Sequence, residues 1–178
     1  NTPLILAANG GRMETAECLL LRGANIDAQS KGENTPLHDA SYQGHTDVLQ
    51  LLLKCGANQE LRNKNGKTAQ EEAKTDEIRA VFREFSKKGL NTKEELFNQA
   101  ISEENYDVVI ILILQGANFD GLISRTKLDQ IIKETKILDD DYFRVLISRG
   151  SDLGGIRYRK LMEMSNAVPV KEGIENYI

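Results

Sequence analysis

Apolar residues in this chain come in short bursts at helical spacing, divided by segments rich in Gly, Asn and Lys. In "DVLQLLL", starting at Asp47, the pattern predicts an amphipathic helix, and Leu37 and Ala40, three apart, share one face of a shorter helix before it. Ile78, Val81, Phe82 and Phe85 predict a third helix over about Asp76–Lys87, and "VVIILIL" from Val108 to Leu114 is apolar without interruption. Glycines punctuate these segments. Gly44 follows the first short helix as a left-handed stop, and Gly56 ends the second. "ANQELRNKNGK" then reads as an extended turn with Asn65-Gly66 at its tip.

The pattern repeats. "NTPLILAANGGRMETAECLLLRGAN" aligns without a gap on "NTPLHDASYQGHTDVLQLLLKCGAN". Thr2, Thr35 and Thr68 follow one another at 33-residue steps, and Gly11 maps to Gly44 and Gly23 to Gly56 on the same step. Thr35 can cap a helix through its hydroxyl, Pro36 suits the first helical position, and Ala40 is small enough to let a second helix approach.

A fixed 33-residue period carrying Thr35-Pro36-Leu37-His38-Asp39-Ala40 resembles the ankyrin repeat. The resemblance implies an all-α repeat solenoid of stacked helix-turn-helix units with short β-hairpin-like loops. It implies structural roles for both histidines: His38 bridges loop backbone and the Thr hydroxyl, and His45 belongs to the Gly-His that opens the second helix. Ile5 and Arg12 stand at the equivalent places in the first copy, so a catalytic histidine pair does not fit the register.

Residues 1–90 read as three copies, the first without its leading turn and the third shortened around Thr68 and Ala73. Residues 91–153 read as two divergent copies. In the fourth, Phe97 and Ala100 take the Leu and Ala places and Glu104 replaces the turn glycine; a fifth ends at Gly150. Residues 154–178 read as a capping helix and tail, expected to continue into a longer protein.

The resemblance implies that a protein or peptide partner docks on the concave face, at positions the fold leaves free. At the hairpin tips these are Lys31 and Asn34, then Lys64, Asn65 and Lys67. On the first helices they are Asn9, then Asp39, Tyr42 and Gln43, then Thr75 and Asp76. Tyr42 stands out because Tyr is over-represented at interface hot spots. Leu21 and Leu114 stand where Lys54 does in the second copy, which suggests apolar residues on an outer surface.

Composition narrows the function. The net charge is −4; residues 1–90 carry 12 basic and 12 acidic side chains, and residues 91–178 carry 11 and 15. That balance argues against nucleic-acid binding. The longest apolar run is far short of the ~20 residues that span a bilayer, so membrane insertion is not expected. Cys18 and Cys55 lie too far apart for a zinc spacing, and a reducing, cytoplasmic setting is expected. Cys18 falls in the apolar stripe of a second helix and is expected in the core; Cys55, beside Gly56, is expected at the surface.

Other motifs are weaker. "NGKT" at 65–68 lacks the first glycine of a phosphate loop, since position 61 is Leu61. Asp139-Asp140-Asp141 lacks the alternating oxygens of a calcium loop and suits a helix start. Gly154-Gly155 reads as a turn and "RYRK" at 157–160 as a solvated helix face. No nucleophile–base or metal constellation appears, and no cofactor is expected. The expectation is a non-catalytic protein-interaction module. The alternative is a recognition or regulatory segment of a larger multidomain enzyme or of a host-directed bacterial effector, acting in the host cytosol.

Overall fold

The computed structural model describes residues 1–90 and 92–117. The fifth copy, the expected capping helix, the Asp139–Asp141 run, Gly154-Gly155 and the "RYRK" cluster lie outside them.

The described residues form an all-α repeat solenoid of seven helices: α1 (Pro3–Asn9), α2 (Met13–Leu21), α3 (Pro36–Gln43), α4 (Thr46–Lys54), α5 (Asp76–Lys87), α6 (Lys93–Ser102) and α7 (Tyr106–Leu114). In the first two copies, each helix pair packs against the next in register, α1 on α3 and α2 on α4. The starts follow from sequence. Thr2 and Thr35 cap α1 and α3, with proline in the first turn, and Thr75 and Thr92 cap α5 and α6. Leu4, Ile5, Leu20, Leu37, Leu49, Leu52 and Leu53 fill the core between the two layers.

The turn between paired helices needs a left-handed residue. Gly11 and Gly44 supply it at φ 65° and 86°, and Glu104 takes the same conformation at φ 54°, as its register position predicts.

The third copy departs from expectation. Residues 69–75 form no helix, so its first helix is lost, not merely its inter-helix turn shortened. Thr75 and Asp76 therefore do not sit on a first helix: Thr75 is the N-cap of α5 and Asp76 its first residue. Lys-Thr-Ala-Gln-Glu-Glu-Ala lacks both the proline and the leucine that start and bury α3.

The fourth copy departs too. α7 packs against α2 as well as α6. Six of its nine residues, Val108 to Leu112 and Leu114, are buried, so this helix is apolar on nearly every side and must find cover beyond a single partner. At its C-terminal end, Gln115 donates its side-chain amide to the Ala24 carbonyl (2.9 Å) and accepts from the Ile26 N–H (3.4 Å). This packing corrects the expectation for Leu21 and Leu114, which are 1% and 2% exposed. Where Lys54 of α4 reaches solvent, Leu21 of α2 lies under cover.

The cysteines are also reversed. Cys18 is exposed and Cys55 buried. Two helical positions turn the chain by about 200°, which puts Cys18 opposite the buried Ala16 and Leu20. Cys55 closes α4 next to Gly56, whose surroundings include Leu112, Lys93 and Leu96, so α6 and α7 cover that end. Burial pushes the Cys55 thiol far above its usual range, making it an inert core group.

Candidate interaction surface

The hairpin tips are built from local hydrogen bonds. In the second, Ser30 and Asn34 pair through backbone (2.9 Å) and the Glu33 N–H returns to the Ser30 carbonyl. In the third, Asn63 donates to the Lys67 carbonyl (3.0 Å), Gly66 donates to Asn63, and Arg62 and Thr68 form an antiparallel bridge. The buried Asn63 amide is the centre of this loop. Its Oδ1 accepts from the Asn65 and Lys67 N–H groups, and its Nδ2 donates to Asn34 Oδ1 at 2.9 Å. With the Lys64 N–H on the Gly32 carbonyl (3.1 Å), it holds one tip against the next.

His38 locks helix to hairpin. Its Nδ1 lies 2.8 Å from Thr35 Oγ1 and accepts from the Thr35 N–H, and its Nε2 lies 3.0 Å from the Lys67 carbonyl. Since that carbonyl can only accept, the proton resides on Nε2 and leaves Nδ1 free to accept from Thr35. Ser41 Oγ donates to the Ala69 carbonyl on the next turn. His45 Nε2 lies 2.9 Å from the Asn9 carbonyl and its ring lies over Gly11. Both histidines thus have structural positions.

The sequence-predicted residues fall into two groups. Lys31, Lys64, Asn65 and Lys67 have exposed side chains along the two tips, while Asn34 is half-buried in its bond to Asn63. Asp39, Tyr42 and Gln43 lie on α3. Asp39 and Tyr42 are three apart, on one face; Leu6 and Asn9 repeat that spacing on α1. The packing of α1 on α3 brings the two faces side by side, with the Asn9 amide favouring the ionised Asp39 carboxyl.

Tyr42 is 53% exposed, and the Lys74 ammonium sits over its ring, 5.4 Å from the centroid. Burial, opposed by the Asn9 amide and His38 and reinforced by the negative charge of Glu72, holds the Asp39 carboxyl above its usual range. Sequence reasoning missed Leu6, Glu72 and Lys74. Leu6, 56% exposed, stands 33 residues before Asp39, so the register carried the signal. Glu72 and Lys74 sit in the irregular turn where that register no longer specifies a helix. Among the described residues, no group of three or more His, Cys, Asp or Glu side chains could hold a metal ion, and no helix is long and apolar enough to cross a membrane.

Helix pairs at a 33-residue step, tied by hairpins and a Thr–His lock, define an all-α repeat solenoid of the ankyrin type over the described residues. A family model described as "Ankyrin repeats (3 copies)" matches residues 1–63. Among solved structures, the chain is similar to the human ASB11 ankyrin repeat domain, at 15% identity and a TM-score of 0.45, covering 95% of this chain and 100% of that one. No curated protein matches the sequence. Ankyrin repeats are generally protein–protein interaction modules.

Proposed function

We propose that this chain is a non-catalytic, cytoplasmic interaction module. It takes a protein partner on the surface made by the hairpin tips and the first helices: Lys31, Asn34, Asp39, Tyr42, Gln43, Lys64, Asn65 and Lys67. The observation that carries this reading is a division of labour among polar groups. The buried polar side chains among the described residues each make hydrogen bonds that hold the framework: Thr35, His38 and Ser41 tie helix to loop, Asn63 ties one tip to the next, and Thr68 closes the turn after the third tip. The groups left exposed on the adjoining face have little structural work, and they mix apolar, aromatic and charged chemistry as protein-binding surfaces do. The mixed charge of this face also speaks for a protein rather than a nucleic acid as the partner.

The test is affinity capture from cell lysate with the wild-type chain beside a Lys31/Tyr42/Lys64 triple alanine variant, both shown to be folded. A protein retained by the first and lost by the second supports the surface. Equal retention moves the binding site elsewhere on the chain.

A further inference from the structure

The second and third hairpin tips are joined into one ridge, and that ridge is cationic. Lys31 and Lys64 hold the same point of successive tips, 33 residues apart. The Lys64 N–H bonds the carbonyl of Gly32, the residue after Lys31, at 3.1 Å, which brings the two backbones together. Lys67 closes the third tip: its carbonyl accepts from the Asn63 N–H at 3.0 Å, and its N–H donates to Asn63 Oδ1 at 3.2 Å. The buried Asn63 amide also reaches Asn34 on the second tip, so the three positions are fixed by bonds in which no lysine side chain takes part. All three side chains are exposed and, among the described residues, none pairs with an acid; Arg62 and Arg79, by contrast, have Glu71 and Asp76. Residues 1–90 carry 12 basic and 12 acidic side chains, so these unpaired cations on one edge are a segregation of charge and not an overall excess.

Folding holds these like charges near one another at an electrostatic cost, which an arriving anion reverses. Each exposed ion pair is weak alone, but three on a fixed ridge act together and steer a partner of opposite sign. Ammonium groups are point charges that impose no fork geometry, so the ridge selects charge and spacing and takes Asp or Glu alike. An extended segment rises about 3.3 Å per residue, so acids about two or three positions apart reach from one tip to the next. One helical turn beyond His38, whose Nε2 holds the Lys67 carbonyl at 3.0 Å, Tyr42 stands 53% exposed with Lys74 over its ring. It offers an apolar contact beside the charges. A polyphosphate backbone fits worse. It carries a charge at every step and would meet Glu33 on the second tip and Asp39 on α3, whereas a peptide can place its acids on the lysines alone.

We infer that the partner of this surface is an acidic protein segment, which lays Asp or Glu side chains on Lys31, Lys64 and Lys67 and an apolar side chain on Tyr42. The inference rests on the proposed interaction surface and gives it a specificity.

A phage-displayed random peptide library, selected on the full chain, tests it. The expected result is enrichment of sequences with paired acids within about three positions of each other. A synthetic peptide of the selected sequence should bind about tenfold more weakly to a Lys31→Gln/Lys64→Gln/Lys67→Gln chain, which loses the exposed ion pairs and keeps its melting transition. Raising NaCl should weaken binding to wild type and leave binding to that variant nearly unchanged. Selected peptides that lack acids, indifferent to the lysine variant but displaced by Tyr42→Ala, would overturn the acidic segment while leaving the surface standing. Tighter binding of an oligo(dT) probe than of any selected peptide would overturn it in favour of a nucleic acid. Peptides indifferent to both variants, or no enrichment over blank beads, would overturn both readings.

Discussion

Glu33 and Gly66 occupy the same point of successive hairpins, 33 residues apart, and both have left-handed backbone, at φ 61° and 72°. Glycine adopts that conformation freely, whereas a glutamate there is strained by about 1–2 kcal/mol. Glu33→Gly should therefore stabilise the chain, by about 0.5–1 kcal/mol after the extra entropy of an unfolded glycine is subtracted. Glu104→Gly, at φ 54°, should do the same, and the two gains should add in denaturant melts.

Leu21→Lys tests whether α7 covers α2. The substitution installs the residue that the second copy carries at the same register position, Lys54, which is exposed. On an open helix face it would be nearly neutral. Beneath α7, at 1% exposure, it should cost about 3 kcal/mol or more, from lost packing and a buried ammonium. A melting temperature equal to wild type would show that α7 does not lie there.

Glu17 ties stability to pH. Burial raises its carboxyl above the usual value of 4.5, and Asp107 on α7 and Glu14 add to the rise. With the folded pKa above the unfolded one, its contribution is fully present below about 4.5 and is lost as pH rises through the folded value. Glu17→Gln should therefore melt higher than wild type at pH 7, the difference shrinking toward zero as pH falls below 4.5. A gap that does not change with pH would separate its effect from charge.

Gly11 is constrained twice. It sits at φ 65°, and a Cβ added there would meet the His45 ring at 2.6 Å. Gly11→Ala should cost about 2–3 kcal/mol, falling to about 1 kcal/mol when paired with His45→Ala, because only the backbone strain then remains. Additive losses in a double-mutant cycle would mean that the ring is not the obstacle.

Tyr42→Ala should leave stability within about 1 kcal/mol, since it removes only an exposed contact to Lys74. Gly44→Val should destabilise much more. Space is not the reason, as the nearest atom to a new Cβ is Thr75 Cγ2 at 3.8 Å; a β-branched residue at φ 86° is. Equal losses in thermal melts would overturn the register on this repeat.

These residues also show where the sequence was legible. The Thr35–His38 lock and the left-handed Glu104 could be read because each depends on neighbours within one repeat, where spacing specifies geometry. Cys18 was misplaced because membership of an apolar burst says less than its angle around the helix, opposite Ala16 and Leu20. Leu21 and Cys55 were misplaced for a different reason. Their cover comes from α6 and α7, and nothing local to either residue names a partner so far along the chain. On the candidate surface, Asp39 and Tyr42 could be picked out by register, but their neighbours Glu72 and Lys74 belong to the copy whose first helix is missing.

The bond from Gln115 to Ala24 spans 91 residues. A linear array of repeats can fray from either end, because a terminal unit is held by its one neighbour alone. Here the first unit cannot peel away without releasing α7, and α7 cannot leave without uncovering α2. The order of unravelling is no longer free: the described helices should protect their amides from exchange as one block, with the slow folding that closing so long a loop entails.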